Sequence, residues 1–382
     1  MGKLNAIGMT CGIGSMLIGA RNSGFNIVGN VEWRKYYPEK TFTHNFPRAF
    51  FVRKLVDMPE LPKIDLLLGH PECGNFSILN TSKNAMTKRT DAGDIPVFIE
   101  GIKWIKPSFF VMDNLPMSIL AFSWDKWQES LGDDYYFFFE WISNYHYGNS
   151  QKGRNRLFVI GCRKDLDWVF VPGETPNNTT TKDWIGDLPL KKDIPELNHV
   201  HRDPKALTGW YSSKTHQNMT YVELAECFLE KPPGKSVEYY ARTKGHVGLR
   251  PGYLRTYWDK HMFTITGGGS FIDNLMHNKT GMPLTTRERA RLQGCPDDFC
   301  FFGDEREQIK QTGKFMPVQF CEYVSRSIFY YLTRKKFVST GERLIKPNKY
   351  IDEAKLGYCK NVGYPDHIKN RACAVCWVNC HE

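Results

Sequence analysis

The stretch that most constrains this chain is the apolar run Ile64-Asp65-Leu66-Leu67-Leu68 and the loop that follows it, Gly69-His70-Pro71-Glu72-Cys73-Gly74-Asn75-Phe76-Ser77. Five residues of that character, bounded by glycine and proline, predict a buried parallel strand. Open α/β sheets place ligand chemistry in the loops at the carboxyl ends of such strands. Cys73 sits in that loop beside Gly74, with Phe76 and Ser77 just beyond. A thiol there is either a small buried hydrophobe or a nucleophile, and the residues elsewhere must decide.

The amino-terminal stretch repeats the strand-then-loop pattern. Leu4 to Met9 predicts a strand, and Thr10-Cys11-Gly12-Ile13-Gly14-Ser15 a glycine turn into an apolar helix from Met16 to Ala20. Doubly wound folds use such turns to bring backbone close to a cofactor, so Thr10, Gly12 and Gly14 are candidate cofactor residues. Asn26 to Glu32 predicts the next strand. Glu32 stands where such folds put an acid on ribose hydroxyls, although an exposed strand-end carboxylate would read the same way. Trp33 follows and could pack on an adenine face.

Glycine turn, acid after the second strand and Pro-x-Cys-x-x-Phe-Ser after the fourth resemble the DNA cytosine-5 methyltransferase family. The likeness continues in the family's order from about residue 4 to 330. Phe109 to Pro116 is similar to its strand ending in Glu-Asn-Val, and Gln151 to Phe158 to its Gln-x-Arg-x-Arg segment. Leu284 to Phe299 is close to a verbatim match, and Gln311-Thr312-Gly313-Lys314 resembles the final Gly-Asn motif.

The resemblance implies an α/β fold: a doubly wound, Rossmann-like lobe that binds S-adenosylmethionine, a smaller target-recognition lobe and a Cys-rich tail. The expected division is a catalytic and cofactor lobe over 1–175, recognition over 176–284, a return to the catalytic lobe over 285–335, and a basic linker with a zinc-binding tail over 336–382. Cys73 would add to cytosine C6, making C5 nucleophilic toward the donor. Asp113 takes the place of the family's glutamate at cytosine N3, about 1.5 Å shorter in reach. Arg154 and Arg156 match the arginines that hold the flipped base and its phosphate. A strand-edge salt bridge is the alternative for both. Double-stranded DNA is the expected partner, with no membrane and no obligate protein partner. Lys plus Arg outnumber Asp plus Glu by 51 to 41, a surplus that suits a polyanion.

Several positions depart from the family pattern. Gly8 and Thr10 stand for its usual Asp and Phe, and an expected acid near Val52-Arg53 is absent. Glu72 replaces the proline before the nucleophile, Gly74 a glutamine, and a residue is inserted near Gly153. Lys314 replaces the final asparagine, which lines the cofactor pocket in the family. An ammonium about 6 Å from a sulfonium costs about 3 kcal/mol at an effective dielectric of about 20, unless an acid such as Glu72 offsets it. Drift in a phage or mobile-element enzyme explains these changes. The sharper alternative is a donor bearing the negative charge itself, carboxy-S-adenosylmethionine, giving 5-carboxymethylcytosine. A catalytically impaired DNA-binding relative is a further alternative.

The chain has eleven cysteines and opens on a strand, without the apolar stretch of a signal peptide. Reduced thiols and a cytoplasmic location are therefore expected, in a host cell if the gene is a phage's. Cys359, Cys373, Cys376 and Cys380, with His367 and His381 nearby, have the spacing of a structural zinc site.

Overall fold

The structure, a computed structural model, describes residues 2–35, 37–76, 93–201, 225–226, 229–230, 232–234, 254–267 and 275–335. The chain forms two compact units. The first comprises residues 1–147, 154–176 and 318–382, and the second 148–153 and 177–317.

The first unit is built on a seven-stranded sheet in the order β3-β2-β1-β4-β5-β7-β6. Its strands are β1 (Asn5–Met9), β2 (Asn26–Val31), β3 (Phe50–Val52), β4 (Leu66–Gly69), β5 (Phe109–Asn114), β6 (Tyr135–Ser143) and β7 (Asn155–Arg163). β1 to β5 run parallel, and β7 is antiparallel to both β5 and β6. Strands β4 and β5 are buried throughout, which is why they read as unbroken apolar runs instead of alternating ones. Helices α1 (Ser15–Asn22), α2 (Glu39–Asn45), α3 (Ile95–Ile105) and α4 (Trp124–Leu131) connect the strands. Phe110, Trp127 and Phe137 pack ring against ring in the core beneath α3 and α4. A last helix, Val318–Leu332, follows in the same unit. It lies so close to α1 that a Cβ on Gly19 would stand 2.5 Å from the Glu322 nitrogen.

Strand order reverses between β1 and β4, and the crevice outside such a switch point is where ligands bind in these sheets. The glycine turn after β1 and the Cys73 loop after β4 therefore open side by side. Antiparallel β7 adds a consequence that a parallel strand could not. Its first residues, not its last, lie at this end of the sheet, pairing Leu157 with Asn114 and Phe158 with Asp113.

The second unit contains α5 (Thr181–Ile185), the two-stranded pair β8 (Leu254–Arg255) and β9 (Leu275–Met276), α6 (Thr286–Leu292) and α7 (Glu305–Lys314). Residues 285–317 cluster here, whereas the sequence suggests a return to the first lobe from 285. The reason lies in the motif itself. Arg287 is fully buried and donates to the carbonyls of Leu197, Pro296 and Phe299, at 2.6, 2.9 and 2.6 Å. Arg289 reaches Thr312 Oγ1 at 3.0 Å and the Thr266 carbonyl at 2.6 Å. Thr285 and Glu288 close a capping box that starts α6. Gly313 abuts Gly267 so tightly that a Cβ would lie 2.1 Å from its Cα. Gly267 is thus needed for packing, a use that the glycine run did not disclose.

No described helix is long and apolar enough to cross a membrane. The four tail cysteines and their histidines lie outside the described residues. Among the described residues no cluster of His, Cys, Asp and Glu could hold a metal ion.

Candidate active site

Cys73, Asp113, Arg154 and Arg156 are brought together at the carboxyl end of the parallel strands. Cys73 is half-buried in the loop after β4, just before a short 3-10 turn at Gly74–Phe76. Asp113, on β5, is wholly buried. Arg156, on β7, donates Nε to Asp113 Oδ1 at 2.8 Å and Nη2 to Oδ2 at 2.6 Å. Its Nη1 points at Cys73 Sγ, 3.8 Å away. One guanidinium therefore grips a carboxylate with one edge and faces the thiol with the other. This planar fork is a geometry that lysine could not provide.

A fifth group completes the cluster, one to which the sequence alone assigns no role. His70 Nδ1 lies 2.7 Å from Asp113 Oδ2 and is only 6 % exposed as a residue. A carboxylate only accepts, so this nitrogen carries the proton. Arg156 Nη2, 3.4 Å from the same nitrogen, is then a neighbour and not a partner. The one signal in the sequence was a histidine three positions before the cysteine in the same loop.

The charges act on each other in consistent directions. Burial alone would push the Cys73 thiol up, but the Arg156 guanidinium and a hydrogen bond with His70 outweigh it and hold the thiol at about 6. Burial opposes a charged Asp113 too, and Arg156 and His70 keep its carboxyl below the usual range. His70 is pulled down by burial, yet its bonds to Asp113 and Cys73 leave it raised. Burial and then the repulsion of Arg156 bring Arg154 down to about 10, still cationic at neutral pH. At neutral pH the cluster thus holds a thiolate, a carboxylate and two guanidiniums, with a histidine that binds its proton more tightly than usual.

The glycine turn lies at the end of β1. Thr10, Gly12 and Gly14 all have positive φ, at 58°, 60° and 96°. A side chain on Gly12 would meet the Tyr37 ring at 2.8 Å. Glu32 is not an exposed strand-end carboxylate: it is fully buried. Its Oε1 accepts from Arg34 N at 2.9 Å and Arg34 Nε at 2.8 Å, and its Oε2 from Gly12 N and Arg34 Nη2, both at 2.7 Å. Arg53 straps the segment from outside, donating to the carbonyls of Glu32, Arg34 and Tyr37, each at 3.1 Å. Trp33 is partly buried, with Nε1 3.2 Å from Asp94 Oδ1. Lys314 ends α7 in the second unit.

A doubly wound sheet carrying a half-buried thiol, a histidine, an acid and two arginines at its strand ends suits an enzyme site. The chain belongs to the C-5 cytosine-specific DNA methylase family, whose pattern matches residues 4–330. It is similar to the type II methyltransferase M.MthTI of Methanothermobacter thermautotrophicus, 25% identical over 83% of this chain and 94% of that protein. The type II methyltransferase M.Sau96I of Staphylococcus aureus is also 25% identical, over 85% of this chain and 75% of its own. In fold it is similar to a crystal structure of a candidate DNA modification methyltransferase from an Escherichia coli prophage. That likeness has a TM-score of 0.63 at 22% identity and covers 87% of this chain and all of that one.

Enzymes of this family use S-adenosylmethionine. The glycine turn, the Glu32 carboxylate and the Trp33 indole suit the adenosine end of such a donor. One condition attaches to the fit. A carboxylate offers about four acceptor positions, and Arg34 and Gly12 fill those of Glu32 here. A ribose diol can bond to Glu32 only as the Arg34 side chain yields.

Proposed function

We propose that this protein transfers a methyl group from S-adenosylmethionine to C5 of a cytosine in double-stranded DNA, through a covalent bond between Cys73 and C6. The observation that carries the reading is the thiol itself, held at about 6 beside Arg156 in the loop after β4. Cytosine C5 is too weak a nucleophile to take a methyl group directly, and a thiolate added at C6 makes it enamine-like. The donor supplies an electrophilic methyl carbon, and everything else falls to the chain. Thr10, Gly12, Gly14, Glu32 and Trp33 hold the adenosine end. Arg156 keeps Cys73 ionised, and Asp113 fixes Arg156 and His70 so that the charged array faces the polar edge of the base. Arg154 takes the phosphate of the flipped nucleotide.

Chemistry at C5 requires the base to leave the stack, so DNA binding must grip phosphates and fall with salt. The test is a duplex with 5-fluorocytosine at the target, offered with S-adenosylmethionine. A denaturation-resistant complex on Cys73 is the expected result. Binding without any adduct would end the reading and leave a DNA-binding relative.

A further inference from the structure

His70 carries out no proton transfer in the mechanism above, and it is a buried titratable group beside both Asp113 and Arg156. Its Nδ1 is fixed by Asp113 Oδ2 at 2.7 Å, and it acts on the Cys73 thiol three residues later in the same loop. With Nδ1 engaged, Nε2 is the nitrogen left to exchange a proton. Asp113 is itself in no state to serve as an acid, because both its oxygens accept from Arg156. Arg156 cannot give up a proton at any ordinary pH. Of the buried charged side chains around the thiol, His70 is the one suited to take a proton and return it. Glu72, less buried in the same loop, accepts from Gly74 N at 3.0 Å.

We propose that His70 is the proton carrier of this site: it takes the proton of the Cys73 thiol and delivers it to N3 of the cytosine during the addition. This rests on the methyltransferase reading and deepens it. The step balances. The S–H proton passes to His70, leaving a thiolate and an imidazolium. The Sγ–C6 bond forms, the C5=C6 pair moves to C5–C4, and the C4=N3 pair settles on N3, which receives the proton from His70. The sum is addition of S–H across C6 and N3. Once C5 carries the methyl group, the C5 proton passes to water, its electron pair re-forms C5=C6 and expels Cys73 as the thiolate, and the N3 proton returns to His70. Asp113 is then a positioning residue that holds the imidazole by one nitrogen, which suits an acid one methylene shorter than glutamate.

Other groups bear on the same titration. Asp113 and Arg156 face His70 from β5 and β7, while Glu72, Arg154 and Tyr37 act on Cys73. Glu72 is the other group here able to carry a proton, so Glu72→Gln is run beside the His70 variants. Because Glu72 pushes the thiol up, its loss should leave the half-point in place or lower it.

The test uses the full chain. Alkylation of Cys73 by iodoacetamide is followed by peptide mass spectrometry across pH for the parent, His70→Gln and His70→Ala. The proposal expects the half-point to rise by about one pH unit or more in both variants, a tenfold loss of thiolate at a given pH. Unchanged half-points in folded variants would overturn it. As a readout without substitution, the histidine resonances are titrated before and after Cys73 is capped with methyl methanethiosulfonate. One imidazole, identified as His70, should then titrate lower, and no change would equally overturn the proposal. The adduct with 5-fluorocytosine DNA is measured beside these. His70→Gln should form it at least tenfold more slowly even at a pH where its thiol is ionised, because N3 then lacks its donor. An equal rate there would sink the delivery step. Failure of the parent to form any adduct would sink the methyltransferase reading, and the alkylation data would still decide the role of His70.

Discussion

Asp113 and Arg156 meet edge to edge, two hydrogen bonds of 2.8 and 2.6 Å between a wholly buried carboxylate and a guanidinium that is 4 % exposed. The pair joins β5 to β7 and turns the remaining guanidinium nitrogen toward Cys73. Breaking a buried pair by removing one partner costs about 3–5 kcal/mol, since the other charge is left uncompensated. Arg156→Ala should therefore lower the melting temperature as well as raise the Cys73 half-point for alkylation. Asp113→Asn should destabilise less, because the amide still accepts from Arg156. The stabilisation due to Asp113 is present above the ordinary carboxylate range and is lost only as pH falls through its depressed value. Thermal melts of both variants at neutral pH check this, and equal melting of Arg156→Ala and the parent would contradict it.

The second prediction concerns pH and the nucleophile. With the thiol held at about 6, adduct formation should fall tenfold per pH unit below that value and be flat from it to neutrality. Cys73→Ser should form no adduct and no product while binding DNA as tightly as the parent. Turnover by Cys73→Ser would remove the thiol from the mechanism.

Arg34 competes with the donor for Glu32. In Arg34→Ala the acceptor positions of Glu32 are freed, but a buried carboxylate loses its counter-ion. The variant should melt lower than the parent without ligand. It should also gain more from saturating S-adenosylhomocysteine, with a Kd several-fold tighter by calorimetry. A weaker Kd would mean that Arg34 belongs to the binding site and does not close it.

Whether Lys314 bears on the choice of donor is settled by competition. Parent and Lys314→Asn are offered S-adenosylmethionine and carboxy-S-adenosylmethionine in competition, and the DNA nucleosides are read by mass spectrometry. The methyl reading expects 5-methylcytosine from both proteins. A 5-carboxymethylcytosine product from the parent, lost in Lys314→Asn, would establish the altered donor.

The tail is tested by metal analysis. Protein purified without chelator should carry one equivalent of zinc, with Cys359, Cys373, Cys376 and Cys380 protected from alkylation. The spacing of these cysteines is the whole of the argument. Absence of zinc, with all four thiols reactive, would dismiss it.

Local signals in the sequence determined much of the first unit. A short apolar run with glycine at its end can do little but form a buried strand and turn, so β1, β4 and the loops after them were legible. The order of the motifs carried the family. What the tertiary structure decided were relations between residues far apart in the chain. Glu32 could be read as a free acid until Arg34 was seen folded back on it, because nothing in a strand-end Glu-Trp-Arg says where the arginine turns. The Leu284–Phe299 motif looked as specific as a catalytic signature, yet Arg287 spends its donors on backbone carbonyls within its own unit. His70 was only a loop residue until β5 set Asp113 beside it, 43 positions away in sequence. Composition and spacing report on neighbours along the chain, whereas hydrogen bonds and charge coupling depend on neighbours in space, and those are fixed only when the sheet has assembled.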